Sequence, residues 1–238
     1  MQLQTKGILY LIPNFLDETN TVAYLQPRVA DIVSSVNHFI GETEKNIRAF
    51  VKKVSPLKVQ AELEIELLNE HNAEGNLRNL IAPLLKGKDI GLLSDAGMPC
   101  IADPGHQLVR LCHENGITVV PLAGPSSILL TLVASGFSGQ QFTFHGYLPY
   151  DKVQRQKRIK QMEVDASVKN YTQLFMEAPY RNNQLLKELM EIGDSKTQLC
   201  AGIALTSPQE RILTQSIAQW RKTTLDLHKI AVMFAMGK

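Results

Sequence analysis

The strongest constraint in this sequence is its rhythm. Short runs rich in β-formers alternate with helix-period segments almost from end to end, and that alternation belongs to parallel α/β sheets rather than to a bundle or a sandwich. GILYLIP (7–13) reads as a buried strand, and Val29, Ile32, Val33 and Val36 then recur at i, i+3, i+4 and i+7, one apolar face of a helix. HFIGE (38–42), LEIELL (63–68), DIGLLSD (89–95) and ITVVPL (117–122) are the next strands, separated by helices from Glu44, over 76–85 and over 106–114. After Pro121–Pro125 the rhythm changes. A helix over 126–135, the strand QFTFHG, a basic helix over 153–163, the strand QLFME and a helix over 180–192 lead into QLCAGIAL, ERILTQSI and KIAVMFAMG, with a short helix around Trp220. Three late strands joined partly by short connections imply antiparallel neighbours. The expected architecture is therefore two α/β domains, residues 1–121 with a mostly parallel sheet and residues 125–238 with a mixed one.

Composition adds only bounds. The 238 residues are 44% hydrophobic and 20% charged, enough apolar material for a sizeable core. The net charge of +2 neither demands nor excludes a polyanionic partner, so local clustering has to decide. Cys100, Cys112 and Cys200 are odd in number and in no CxxC pair, which fits a reducing cytoplasm better than a disulfide framework or a thiolate zinc site. ILLTLVA (128–134) is far short of the ~20 residues of a membrane-spanning helix. GILYLIP runs into Pro13, Asn14 and Asp17 with no cleavage-site pattern, against a signal peptide.

GLLSDAGMPCIADPG (91–105) sets the functional question, because an apolar run ends at Leu93 and turn formers crowd the positions that follow. In open α/β sheets ligands bind outside the carboxyl ends of strands, where loop amides and carbonyls face a crevice. Gly97 and Gly105 allow close backbone approach, Pro99 and Pro104 stiffen the loop, Asp95 places a carboxylate at the strand tip, and Asp103 stands where it can cap the helix at 106. The plain alternative is a tight capped connection. A second such segment, Gly-Pro-Ser-Ser (124–127), follows the next strand, and two adjacent turn-rich strand ends favour a cleft. Neither GxxxxGK[ST] nor a GxGxxG after a strand occurs, and HExxH and GxSxG are also missing, so the common phosphate cradles, zincins and serine hydrolases lose their fingerprints. His106 and His113 share a helix face without a third ligand nearby, and no metal is expected.

The succession LYLIP, EHN (70–72), LLSDAGMPCIADPG, VVPLAGPSS, FHGYLP with a basic helix after it, MEAPYR (176–181), and LT followed by ER (205–211) resembles the tetrapyrrole methylase superfamily. Within it the chain is most similar to the small-subunit ribosomal RNA ribose 2′-O methyltransferases that act on a cytidine. The resemblance covers nearly the whole chain in the right order, and SDAGxPxIxDPG and ExPxR are its most specific parts. It implies two α/β domains with S-adenosylmethionine folded into the cleft between them, and usually a homodimer. Carried over position by position, it implies donor contacts at Pro13, Asp95, Gly97, Met98, Ile101, Ser126, Ser127, Met176, Leu205 and Lys229. A sulfonium wants carbonyl or carboxylate oxygens nearby, and adenine wants apolar walls with a few main-chain hydrogen bonds. By themselves Met176 and Leu205 are ordinary strand-core residues and Lys229 an ordinary solvated charge.

On the acceptor side, KVQRQKRIK (152–160) carries five cations and no acid. Arg155 and Arg158 share a helix face at i, i+3 and are the candidates to meet phosphates of ribosomal RNA or the small ribosomal subunit, although a solvated face is the commoner fate of such a run. The resemblance also implies that His71 and Asn72 lie near the acceptor, and it matches Glu177 and Arg181 to ExPxR, where they serve the substrate or form a buried pair that fixes the loop. A ribose hydroxyl needs a base or strong orientation before it attacks; the candidate bases are Glu42, Glu70 and His71. The chain departs from the branch where PNFLDET stands for PTPIGNLxD, ETEK for EDTR and IALTS for RELTK. Those losses fall on acceptor-side loops, so a tetrapyrrole or other small molecule as acceptor, or a catalytically silent donor- or RNA-binding module, stays open as an alternative. The porphyrin branch's VGxGPG opening loop is absent here.

Overall fold

Five strands of the first half pair side by side, all parallel. They are Ile8–Ile12 (β1), His38–Gly41 (β2), Glu64–Leu67 (β3), Ile90–Leu93 (β4) and Thr118–Pro121 (β5), in the spatial order β3-β2-β4-β1-β5. These come from a computed structural model that describes residues 5–68 and 73–238. Successive side chains of a strand point to opposite faces, so β1 needs apolar residues at both parities. Tyr10 and Ile12 pack under Pro27–Ser35 (α1) and Glu44–Val54 (α2), against Val29, Val33, Ile47, Phe50 and Val51. Leu9 faces the other way, with Leu80, Leu84, Leu108 and Cys112 of Ala73–Leu85 (α3) and His106–Glu114 (α4). Each fully buried aliphatic or aromatic side chain here contributes about 1.5–3 kcal/mol.

The helix faces follow from strand order. Crossovers between parallel strands are right-handed, so the connections through α1 and α2 run toward the β3 edge on one face. Those through α3 and α4 run back toward β5 on the other. The chain therefore leaves β2 and β4, which are neighbours, in opposite directions. This reversal opens a crevice outside their carboxyl ends, the place where open α/β sheets bind ligands.

The chain divides into two compact units, the first through Pro125 and the second from Ser126. In the second unit Phe142–Tyr147 (β6), Thr172–Met176 (β7), Gln198–Ile203 (β8), Arg211–Ser216 (β9) and Val232–Gly237 (β10) form a sheet in the order β6-β7-β10-β8-β9. β6 and β7 are parallel and the remaining pairs antiparallel, the expected mixed sheet. Lys152–Lys169 (α6), Asn182–Ile192 (α7) and Ile217–Trp220 (α8) cover one face through Ile159, Met162, Leu185, Leu189 and Trp220. Ser127–Ala134 (α5) covers part of the other through Ile128 and Leu132, while Leu129 and Val133 stay exposed. α6 runs past the expected end at 163 because its cap is Asn170, which takes the left-handed conformation that ends a helix. α4 lacks the side-chain cap expected from Asp103: its N-cap is Gly105, with no side-chain hydrogen bond.

Since β10 is antiparallel to both neighbours, its first residues lie beside the last residues of β7 and β8, Met233 opposite Met176 and Val232 opposite Ile203. Segments 177–181, 204–210 and 226–231 are thereby gathered at one end of the sheet. Tyr147, opposite Met176, brings 148–151 to the same end.

Candidate functional site

In the first unit the loops after β1, β4 and β5 converge. The Asn14 amide donates to the Gly97 carbonyl at 2.8 Å, and the Asn14 side chain donates to the carbonyls of Ser94 and Asp95 at 3.0 and 3.1 Å. Asn14 itself is buried. Gly124, in the loop after β5, lies so close to Pro13 that a Cβ there would stand 2.2 Å from the proline's Cβ. Gly97 takes φ 69°, a conformation side chains disfavour. The surface so assembled is largely main chain, with Met98 half-buried and Ile101 46% exposed as apolar parts.

Carboxylates of the β2 and β4 loops meet over the crevice. Thr43 Oγ1 donates to Asp95 Oδ1 at 3.2 Å, and the Asp95 amide reaches Glu42 Oε1 at 3.5 Å. Asp103 completes the group. Burial, then the Glu42 and Asp95 charges, push its carboxyl up to about 7 against the lowering effect of a hydrogen bond from Ser94. The Cys100 thiol is pushed up to about 11, by burial and then by Asp103, so it is a neutral thiol near pH 7.

The second unit assembles its end of the sheet from the same kinds of parts. Met176, half-buried, and Leu205, buried, end at this rim. The Lys229 amide donates to the Pro179 carbonyl at 3.0 Å. Asn182, fully buried, donates to the Ile230 carbonyl at 2.7 Å, and Asn183 bonds Asp226 and the Leu227 amide, so the start of α7 pins the segment that carries Lys229. Ser126 caps α5 by accepting from the Leu129 amide, with Ser127 the first helical residue. Glu177 is buried, and its carboxylate lies 3.1 Å from the Arg181 guanidinium, whose carbon stands 4.7 Å from the centre of the Tyr150 ring.

Backbone strain falls on the same loops. Among the described residues the non-glycine positions with positive φ are Cys100 and Ala102 in the loop after β4, Ala204, Thr206 and Lys229 in the second unit, and Asn170 at the end of α6. The last is an ordinary cap. The other five flank Ile101 and Leu205 or are Lys229 itself, and each such conformation costs on the order of 1–3 kcal/mol, which persists where a site requires it.

One expectation is overturned. Arg155 does not face solvent: its guanidinium is buried, 2.7 Å from the Glu188 carboxylate, and donates to the carbonyls of Pro149 and Tyr150 at 3.0 and 2.7 Å. It holds a loop and is unavailable to a phosphate. Arg158, with Lys152 and Lys157, is exposed. Glu70, His71 and Asn72 lie outside the described residues. The reading of motifs missed Asn14 and the charge cluster around Asp103. Asn14 had a legible signal, an amide side chain directly after a strand and a proline; Asp103 had none, since its burial and the approach of Glu42 from the loop after β2 arise only in the folded chain.

A family model described as Tetrapyrrole (Corrin/Porphyrin) Methylases matches residues 22–220. The chain belongs to the tetrapyrrole methylase family. Membership makes it a methyltransferase. This tetrapyrrole methylase is 34% identical over 215 residues to Ribosomal RNA small subunit methyltransferase I of Bacillus subtilis (strain 168), covering 90% of its own length and 68% of the relative's. It is 29% identical over 216 residues to the protein of the same name from Vibrio cholerae serotype O1, covering 89% and 69%. It thus spans about two thirds of the length of these relatives. Its fold is shared by uroporphyrin III C-methyl transferase from Thermus thermophilus, with TM-score 0.58 at 15% identity over 98% of each chain. The methyltransferase CobJ matches with TM-score 0.61 at 14% identity, over 98% and 94%. Among the described residues no group of three or more His, Cys, Asp or Glu side chains is arranged to hold a metal, and no helix is long and apolar enough to cross a membrane.

Proposed function

We propose that this tetrapyrrole methylase transfers a methyl group from S-adenosylmethionine to a cytidine ribose 2′-hydroxyl of small-subunit ribosomal RNA. The observation that carries the reading is the meeting, outside β2 and β4, of a strained main-chain surface with the carboxyl groups of Glu42, Asp95 and Asp103. That donor set suits a cation with apolar and hydrogen-bonding parts. The names of relatives at 34% and 29% identity supply the acceptor. Proposed donor contacts are Pro13, Asp95, Gly97, Met98 and Ile101 from the first unit and Ser126, Ser127, Met176, Leu205 and Lys229 from the second. When bound, the donor supplies a methyl group on a positively charged sulfur.

What remains for the chain is to hold the hydroxyl in line and take its proton. Asp103 is the described carboxyl suited to that role, because a base whose affinity for protons sits near neutral pH is both free to accept and strong enough to do so. Glu42 acts on it as a neighbouring charge. His71 and Asn72 are proposed to lie on the acceptor side, and Glu177 with Arg181 to order the rim of the second unit. A cytoplasmic homodimer is part of the same reading. Leu129 and Val133, exposed on α5, are apolar surface that a second copy would cover, and light scattering on the purified chain decides it.

Radiolabelled methyl transfer to small ribosomal subunits from cells lacking the gene tests the reading. Label is expected in the RNA, at a ribose. Label in a porphyrin and none in subunits would make the acceptor a small molecule; donor affinity without transfer to either would make the chain a silent binding module. Asp103→Asn is expected to lower kcat by about 10²–10⁴-fold, the usual worth of a positioned base, with a much smaller loss of donor affinity, since Glu42 and Asp95 remain.

A further inference from the structure

Three tyrosines stand out at one end of the second unit. Tyr147 closes β6, Tyr150 follows it and Tyr180 follows β7, with exposures of 59%, 84% and 64%. Single exposed aromatics are ordinary; several at one rim mark a surface that meets something.

Tyr150 is held in place although it is exposed. The Arg181 guanidinium lies 4.7 Å from its ring centre, and Arg181 is tied in turn to Glu177, which is buried and accepts from the Ala178 amide at 2.8 Å. Its own carbonyl, with that of Pro149, accepts from Arg155, whose charge Glu188 neutralises. A buried ion pair, Arg155 with Glu188, fixes the peptide that carries the ring, and a half-buried one, Arg181 with Glu177, fixes the cation beside it, while most of the ring stays in water. A flat surface ordered before binding costs little to use.

The next feature along the chain is cationic. Asp151 caps α6 by accepting from the Gln154 amide at 2.9 Å, and Lys152, Lys157 and Arg158 then stand exposed, whereas Lys160 is tied to Glu163. Exposed aromatic rings beside exposed cations match a single nucleic-acid strand, because every base has a face to stack and every nucleotide a phosphate. An RNA duplex hides its base faces and offers mainly backbone.

We propose that Tyr150, held beside Arg181 and accompanied by Tyr180, is a stacking surface for an unpaired base of the acceptor RNA, with Lys152, Lys157 and Arg158 meeting phosphates next to it. The acceptor is then a single-stranded segment. The inference rests on the proposed function for its assumption that the acceptor is RNA.

Fluorescence anisotropy with an end-labelled RNA oligonucleotide, alone and annealed to its complement, tests this on the full chain at several salt concentrations. Tighter binding of the single strand is expected. Tyr150→Ala should weaken it about 5–100-fold, the loss of one stacked base, without changing the salt dependence, and Tyr150→Phe should bind as the parent does. Lys157→Gln and Arg158→Gln should each lower the slope of log K against log salt by about 0.7. In Tyr150→Trp the added indole should be quenched by the single strand, over the constant signal of the buried Trp220, which also reports that the unit is folded.

Unchanged affinity in Tyr150→Ala, equal or tighter binding of duplex, or no binding of either RNA overturns the platform. So does loss of binding to small subunits with naked RNA unaffected, which would assign the surface to a protein. Methyl transfer to subunits by the unmodified chain separates the two readings. Transfer without Tyr150-dependent binding leaves the proposed function standing, and Tyr150-dependent binding without transfer leaves only the platform.

Discussion

The Asp103 carboxyl, pushed up to about 7 by burial and by its neighbours' charges, holds its proton in the folded chain over a range where an unfolded chain has already released it. Its contribution to stability is therefore present below about pH 4 and lost as pH rises through about 7. Asp103→Asn removes that loss. The variant is expected to melt above the parent at pH 8 by an amount on the order of 1 kcal/mol, a figure discounted because the group is half-exposed and screened, and the two should converge toward pH 4. Thermal melts across pH 4–8 check this, and a parent that gains on the variant as pH rises refutes it. The same substitution should abolish the rise of methyl transfer with pH through neutrality. Asp103 could be read from the sequence as part of a turn-rich motif, but not as a perturbed acid, because its burial is a product of packing and Glu42 reaches it only through the pairing of β2 with β4. Arg155 was legible as a cation and illegible as a buried one. Its partner Glu188 is on α7, and only the packing of α6 beside α7 joins them.

At the scale of elements the strands and helices were legible nearly throughout, since strand runs and helix periods are local properties. The end of α6 was missed because its polar second half offers little periodicity, and the left-handed Asn170 outweighs that pattern. Two joints between elements carry predictions. Glu188→Ala leaves the Arg155 guanidinium buried without its carboxylate and should cost about 3–5 kcal/mol, read as a lower urea midpoint of Trp220 emission, whereas replacing both partners by Leu or Met of similar volume should cost much less. A midpoint within error of the parent's would show that the pair is not buried in solution. Gly124→Ala forces a methyl group into Pro13 and should cost about 1–3 kcal/mol by overpacking. Calorimetry should show weaker uptake of S-adenosylmethionine, because the loops after β1 and β5 must separate; unchanged uptake would remove Pro13 and Gly124 from the proposed donor surface.

For the molecule as a whole, the alternation of elements was enough to give two α/β units, one with a parallel and one with a mixed sheet, while strand order was not, because order depends on pairings between segments far apart in the chain. That order matters most at β10. It lies between β7 and β8, so a chain ending before Val232 keeps β6 with β7 and β8 with β9 but nothing to join them. Such a truncation is expected to lose the cooperative unfolding transition of Trp220 and to keep far-ultraviolet signal from the first unit; a preserved Trp220 transition would mean that the two strand pairs find each other unaided. The first sheet has the complementary property. β1 is bordered by β4 and β5, the last strands of its unit to be translated. A nascent chain emerging from the ribosome therefore carries Ile8–Ile12 with both edges open until residue 93 is clear, sticky and without a native partner. Slowing translation between β1 and β4 should thus raise the fraction of nascent chains captured by holdase chaperones.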